Sequence, residues 1–205
     1  PALGKAAMKI GELIMLATNL QPFLMGIAVS VLVGIALTLP ISSAAICAAF
    51  GLTGLAGGAA VAGCCAQMVG FAVMSFKENR WGGLVSQGIG TSMLQMGNII
   101  KNPRIWIAPI VTSAITGPMA TCLFKLQMNG TPVSSGMGTC GFVGQIGVYS
   151  GWVNDIANGT KAAITGFDWT GMILISFILP AVLCPLINML LKKIGWVKDG
   201  DMKLS

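Results

Sequence analysis

The clearest sign of the fold is the stretch TGMILISFILPAVLCPLINMLL at residues 170–191, which is apolar almost throughout and has no charged side chain. A helix needs about 20 mostly apolar residues to cross the hydrocarbon core of a bilayer. Residues 20–39, 55–76 and 105–124 pass the same test. The sequence therefore predicts an all-α polytopic membrane protein with about four transmembrane helices. Residues 55–76 are dense in glycine and alanine, which suits close helix contact better than exposure to lipid.

The composition agrees with this class. Of 205 residues, 55% are hydrophobic and 9% are charged, whereas an average soluble domain carries about 25% charged residues. So few charged side chains exclude an ordinary soluble enzyme and a disordered chain. The net charge of +6 does not indicate a nucleic-acid partner, because the basic residues are scattered between apolar runs. The expected partner is the lipid bilayer.

Three other segments are apolar but unsuited to a regular span. Residues 41–53 are too short to cross, residues 83–100 carry several amides and hydroxyls, and residues 130–151 are rich in glycine. Irregular backbone is tolerated at membrane depth only where protein shields it or where it lines a wet cavity. We therefore expect these segments to be re-entrant or broken helices, as in transporters.

The distribution of lysine and arginine distinguishes between topologies, because cytoplasmic loops are enriched in both. With four spans, ten basic residues fall on one side and two on the other. If residues 83–100 cross, the division becomes six and six, and if residues 130–151 cross instead, it becomes seven and five. We therefore predict four spans with both termini cytoplasmic. Segment 83–100 then enters from the cytoplasmic side, and segments 41–53 and 130–151 lie on the outer side.

The chain divides into three parts on this interpretation. Residues 1–19 are predicted to form an amphipathic helix in the membrane interface. Residues 20–192 form the membrane domain, and residues 193–205 form a polar cytoplasmic tail.

The sequence gives little support to catalysis. There is no histidine, and none of the six cysteines forms a CxxC pair. All six acidic residues lie outside the predicted spans, and Glu78, between Lys77 and Arg80, indicates a solvated charge cluster. We predict no catalytic residue, no metal site and no cofactor.

Polar side chains in apolar surroundings are more informative, because an unpaired polar group is costly in a bilayer. Some of them can join helices by hydrogen bonds, and the others can line a polar cavity. Neutral amides and hydroxyls suit a neutral solute better than an ion, which usually requires an intramembrane charge. Asp155, after the glycine-rich segment, suits either an exposed turn or an acceptor for sugar hydroxyls. The candidate substrate-binding residues are Gln67, Gln87, Thr91, Ser92, Gln95, Asn98, Gln145 and Asp155.

Four blocks of sequence carry a family resemblance. They are NLQPFLMGIAVSVLVGIALTLPISSAAI at 19–46, GCCAQMVGFAVMSFKENRWGGL at 63–84, GIGTSMLQMGNIIKNPRIWIAP at 88–109 and GMGTCGFVGQIG at 136–147. Together they resemble bacterial membrane proteins classed with the sugar-specific IIC subunits of the phosphoenolpyruvate phosphotransferase system. Some members of that family are labelled as regulators of toxin expression. The likeness covers most of residues 10–190 and corresponds to the C-terminal portion of longer members, which agrees with a chain that begins at Pro1.

The resemblance implies a permease of the bacterial cytoplasmic membrane that works as a homodimer. It would translocate a sugar or similar small neutral solute while a IIB subunit donates phosphate from the cytoplasmic side. The alternative is a membrane-embedded regulator or sensor without transport or phosphotransfer of its own, and a lipid could fill the cavity in place of a sugar. Family members place a glutamate, often with a histidine, at the phosphorylated hydroxyl. This chain has no histidine and no glutamate in a predicted span, so phosphotransfer would need residues beyond those seen in it.

Overall fold

The computed structural model describes residues 2–204, with side chains from residue 8 onward. Within that range the chain is built from helices and has no β-strand, apart from one pair of backbone hydrogen bonds between Gly54 and Met128. The fold class, an all-α membrane protein, is confirmed. The helices are α1 (Ala2–Thr18), α2 (Pro22–Thr38), α3 (Ser43–Ala49), α4 (Gly54–Met74), α5 (Phe76–Val85), α6 (Met96–Lys101), α7 (Pro103–Leu123), α8 (Pro132–Ser135), α9 (Val143–Ala157) and α10 (Gly166–Lys193).

The four stretches predicted as spans fall on α2, α4, α7 and α10. Three of these helices, α4, α7 and α10, are long and apolar enough to cross a membrane, and α2 is a shorter apolar helix. The helix α4 lies at the centre, since 89% of its most apolar window is buried. Its glycine and alanine content explains this position. A Cβ atom on Gly63 would lie 1.9 Å from the carbonyl oxygen of Ser30, so the backbones of α4 and α2 touch there.

The direction of α2 differs from the prediction. Four successive crossings would place α2 antiparallel to α4. Instead, α2 runs parallel to α4, because Gly34 packs on Gly63 and Thr38 hydrogen-bonds Gln67 further along both helices. The helix α7 is antiparallel to both. The prediction that residues 20–39 run antiparallel to residues 55–76 is therefore wrong. The apolar pattern of α2 carries no directional information, and its glycines, seated against α4 and α7, set the orientation.

The return from α2 to the start of α4 runs through α3, which packs against α2 and α8 with one face and exposes the other. Ser43 is buried and its hydroxyl donates to the carbonyl of Gly136 at 2.8 Å. Ser42 caps the helix by accepting a hydrogen bond from the amide of Ala45. The helix α1 packs on this part of the molecule and buries Ile14 and Ala17. Segment 41–53 thus contains one short helix that brings the chain back to the start of α4.

Two broken segments approach the middle of the molecule from opposite ends of α4. The first leaves the end of α4 through α5, turns near Gly88 and returns through α6. The second, residues 130–151, returns on itself through α8 and α9. A Cβ atom on Gly138, whose φ is +54°, would lie 2.6 Å from that of Cys64, so glycine is required at this turn. The two turns touch, since the Thr139 hydroxyl donates to the Gly88 carbonyl.

Candidate functional site

Asp155, one of the predicted site residues, faces a cavity of about 340 Å³. The cavity lies at the end of the bundle where α4 and α10 begin and α7 ends. We call it the Asp155 cavity. Its lining residues, which carry ammonium, carboxylate, amide, hydroxyl and indole groups and come mostly from loops, are Lys125, Gln127, Asn129, Trp152, Asp155, Thr160, Lys161 and Asp168.

The carboxylate of Asp155 is held in place from one side only. The side-chain amide of Asn129 donates to both of its oxygens, at 2.9 and 3.1 Å. Gly151 lets α9 approach this loop, since a Cβ atom there would lie 2.7 Å from the amide nitrogen of Asn129. The remaining lone pairs of Asp155 are therefore available to a ligand in the cavity.

A second carboxylate lies in the same cavity and is paired. The Lys161 ammonium donates to Asp168 at 2.8 Å and lies 5.9 Å from the ring centroid of Trp152. Asp168 also accepts hydrogen bonds from the backbone and hydroxyl of Thr165, and Thr165 caps the first turn of α10 in return. This reciprocal cap fixes the position of both charges at the rim.

One aromatic residue, Trp152, lines the cavity, and two further rings pack behind it. Trp152 is only 3% exposed, and its ring lies 5.6 Å from that of Trp169 in an edge-on arrangement. Tyr149 packs on Trp169 from the other side, at 5.8 Å. Such rings have an electron-rich face and bury large apolar area. The cavity therefore combines one buried aromatic ring with charged, amide and hydroxyl groups.

Lys125, also in the lining, has an unusual backbone. Its φ of +44° places a non-glycine residue in the left-handed region, and strained residues of this kind concentrate at binding sites. Of the eight residues that line the cavity, Asp155 alone was predicted from the sequence as a site residue. The sequence around either residue does not indicate the contact of Asn129 with Asp155, because Asn129 lies in the loop after α7 and Asp155 lies near the end of α9.

Three other predicted residues form a chain of amides at the opposite end of α4. The Asn98 amide donates to Gln95 at 2.8 Å, and Gln95 donates to Gln87 at 2.9 Å. Gln87 in turn donates to the hydroxyl of Ser75 at 2.8 Å. We call this chain the amide ladder. Gln87 and Gln95 are fully buried, so the ladder is closed to solvent along most of its length.

The amide ladder holds most of the segment that the sequence predicts to be a polar cytoplasmic tail. Gln95 donates to the carbonyl of Met202 and Asn98 to that of Lys203, each at 3.0 Å. Glu78, interpreted from the sequence as a solvated charge, accepts from the amides of Gly200 and Met202, both at 2.9 Å. The Met202 side chain is fully buried. Residues 196–204, which we call the docked tail, are thus a folded part of the molecule.

Gln67 lies apart from the ladder, on α4. Its side-chain oxygen accepts from the Trp106 indole at 2.9 Å and from Thr38 at 3.3 Å. Thr38 also shares a hydrogen bond of 2.9 Å with Ser92. Because the indole can only donate, it fixes the orientation of the amide, and the Gln67 nitrogen is left buried with no partner among the described residues.

The two remaining predicted residues have local partners. The Gln145 amide donates to Ser176 at 3.0 Å and to the sulfur of Cys65 at 3.3 Å, and its oxygen is buried without a partner among residues 2–204. Thr91 accepts a hydrogen bond from the amide of Met93 and so caps the turn that contains Ser92.

The eight predicted residues therefore occupy four places and do not share one cavity. Gln87, Gln95 and Asn98 form the amide ladder. Gln67 joins Ser92 through Thr38, and Thr91 caps the turn that contains Ser92. Gln145 lies on the other side of α4 beside Cys65, and Asp155 lines the polar cavity of about 340 Å³ at the loop end. Asn98, at the end of the ladder, also lines a polar cavity, of about 360 Å³, together with Asn102 and Asp201. The cavity beside the touching turns is apolar, with a volume of about 230 Å³, and includes Phe142 and Phe177.

Comparison with known proteins gives one match. A family model described as "Phosphotransferase system, EIIC" matches residues 1–204, which is nearly the whole chain. No match was found among curated proteins or among solved structures.

Proposed function

The chain belongs to the EIIC family of the phosphotransferase system, and from that premise we propose that it carries a small neutral polyhydroxylated solute, such as a sugar, through the bacterial cytoplasmic membrane. Membership of the family supports a permease of the IIC type in general. The choice of solute is our inference from the groups that line the Asp155 cavity.

The Asp155 cavity is the observation that carries this proposal. Its volume of about 340 Å³ lies within the usual range for small-molecule sites, roughly 300–1,000 Å³. The two lysines and two aspartates of the lining sum to zero charge, which favours a neutral ligand. Carboxylate and amide oxygens accept hydrogen bonds from hydroxyls, and the ammonium and amide groups donate to them. A sugar presents both kinds of partner around an apolar ring face.

The cavity belongs on the outer side if the basic residues follow the usual bias toward the cytoplasm. Lys125 and Lys161 are the basic residues of that end. The opposite end, with α5, α6 and the docked tail, carries Lys77, Arg80, Lys101, Arg104, Lys192, Lys193, Lys198 and Lys203. With this orientation, α2 begins at the outer end. A cytoplasmic N-terminus then requires α1 to cross the membrane, whereas the sequence predicts that α1 lies in the interface.

The path of the solute would run from the cavity toward the touching turns of the two broken segments. Segments of this kind, entering from opposite faces, form the gates of many transporters. The unpartnered amide groups of Gln67 and Gln145 are the polar groups that such a path would meet inside the bundle. A IIB partner would act at the cytoplasmic end, and a homodimer is the assembly that we propose. We assign no catalytic residue.

Sugar uptake into proteoliposomes tests the proposal. Full-length chain is reconstituted and a panel of radiolabelled sugars is tested with and without a phosphorylated IIB partner. We expect uptake of at least one neutral sugar. Asp155→Asn should raise its KM by about tenfold, the effect of weakening a charge-assisted hydrogen bond. The matched control is Asp199→Asn, an exposed aspartate of the docked tail, which should leave the KM unchanged.

Two outcomes would contradict the proposal in different ways. An unchanged KM for Asp155→Asn would remove the cavity from the transport path. Binding of a sugar without uptake, with or without IIB, would contradict transport and favour the regulator or sensor.

A further inference from the structure

A second polar groove lies at the opposite end of the bundle, between the end of α4 and the last turns of α10. Its volume is about 310 Å³, and its polar lining consists of Lys77, Asn188, Lys192 and Asp199. We call it the α4–α10 groove. It shares no residue with the Asp155 cavity or with the amide ladder.

Asn188 is the group that indicates a ligand. The residue is only 5% exposed, and its side-chain oxygen has no hydrogen-bond partner within residues 2–204. A buried acceptor without a donor is rare because it has lost water and gained nothing in exchange. Since Asn188 lines the groove, a ligand with a hydroxyl or ammonium donor would complete its hydrogen bonding.

The charged side chains of the groove have a net charge of +1, from Lys77, Lys192 and Asp199. Lys192 donates to Asp199 at 2.5 Å and the two neutralise each other. This hydrogen bond holds the pKa of the Asp199 carboxyl below its usual range, so the pair stays ionised. Lys77 has no carboxylate at ion-pair distance in the described part of the chain. The groove therefore matches a ligand with one negative charge.

An apolar stripe leads away from the groove along α10. Val182, Leu186 and Met189 are each about half exposed, and their spacing places them on one face of the helix. Met189 also lines the groove. A polar head in the groove would thus be continuous with a surface that suits a hydrocarbon chain.

We propose that the α4–α10 groove binds an anionic phospholipid of the phosphatidylglycerol type. The phosphodiester lies beside Lys77, a headgroup hydroxyl donates to the Asn188 oxygen, and an acyl chain follows Val182, Leu186 and Met189. Basic pockets between membrane helices on the cytoplasmic side commonly bind such headgroups. A zwitterionic phosphatidylethanolamine would leave the charge of Lys77 uncompensated.

Lipid titration of the purified full chain in detergent tests this site. Dioleoyl-phosphatidylglycerol, dioleoyl-phosphatidylethanolamine or inorganic phosphate is added, and the melting temperature and the lipid retained in native mass spectrometry are measured. We expect stabilisation and retention by phosphatidylglycerol alone. Lys77→Gln should weaken its apparent affinity by about fivefold, the usual effect of one lysine at a membrane surface. Lys193→Gln, a neighbouring exposed lysine outside the groove, should not change it.

The variant Asn188→Leu distinguishes two explanations for the unpartnered Asn188 oxygen, a lipid site and a packing defect. Replacing an unpartnered buried amide by a similar apolar side chain should leave the lipid-free melting temperature equal or higher, while the gain from phosphatidylglycerol is lost. Equal stabilisation by phosphatidylethanolamine would overturn the anionic assignment, and equal stabilisation by inorganic phosphate would overturn the lipid. A full response to phosphatidylglycerol in both Asn188→Leu and Lys77→Gln would overturn the site.

Discussion

The two polar regions at opposite ends of α4 are built in opposite ways. In the amide ladder, Gln87, Gln95 and Asn98 donate to one another and to backbone carbonyls of the docked tail. In the Asp155 cavity, the carboxylate of Asp155 has one side-chain partner, Asn129, and otherwise faces open space. Both regions contain side-chain amides. The two regions differ in how many hydrogen bonds their side chains leave unmade, and on this difference we base the proposal that the Asp155 cavity binds a solute while the amide ladder joins parts of the chain.

Gln95→Leu tests the structural side of this comparison and should have the largest effect. The change removes two donated hydrogen bonds and leaves the buried oxygen of Gln87 without a donor. We expect the free energy of unfolding to fall by about 3 kcal/mol, as measured by denaturation in detergent. Gln127→Leu is the matched control, because this glutamine is exposed at the Asp155 cavity and should change stability by less than about 0.5 kcal/mol. Equal losses of unfolding free energy in the two variants would contradict the view that the amide ladder stabilises the fold more than the Asp155 cavity does.

Glu78→Gln should release the docked tail. The carboxylate accepts from two backbone amides, and a glutamine would turn its NH₂ group toward one of them. We expect a loss of about 1.5 kcal/mol, seen as faster hydrogen exchange at Gly200 and Met202. Glu12→Gln, on α1, provides a control of the same chemistry. Unchanged exchange at both amides would show that Glu78 does not hold the tail.

Thr165→Ala addresses the rim of the Asp155 cavity. It removes the hydroxyl that caps α10 and contacts Asp168, which usually lowers stability by about 1 kcal/mol. We expect a drop in melting temperature of roughly 3 °C. Thr165→Ser should restore most of it, since serine caps a helix equally well. If Thr165→Ser is as unstable as Thr165→Ala, the loss comes from the methyl group and the cap is irrelevant.

The sequence predicts the helical class, the central place of α4 and the broken nature of residues 83–100 and 130–151. These properties depend on apolar length and on glycine content, which are local. The direction of α2 could not be predicted, because hydropathy is symmetric along a helix and the contact of Gly34 with Gly63 joins distant parts of the chain. The role of Glu78 was missed for the same reason, since its partners lie more than 100 positions away, at Gly200 and Met202.

The candidate site shows the same limit. Asp155 was identified from its neighbours in the sequence, but its partner Asn129 follows α7 and depends on how α7 and α9 pack. The amides of the ladder were identified as polar groups in apolar surroundings, which they are. Such a group can bind a solute or a carbonyl of its own chain. Tertiary contacts decide between the two, and the hydropathy pattern of the sequence does not specify those contacts.

The central claim is that the Asp155 cavity binds the solute and the amide ladder holds the fold. The most direct test measures sugar affinity and melting temperature on the same samples of Asp155→Asn and Gln87→Leu. We predict that Asp155→Asn loses affinity about tenfold with a melting temperature within about 2 °C of the parent, since an open-faced carboxylate contributes little to stability. Gln87→Leu should melt roughly 5–10 °C lower with unchanged affinity. The reverse pattern, with affinity lost in Gln87→Leu and kept in Asp155→Asn, would contradict the claim.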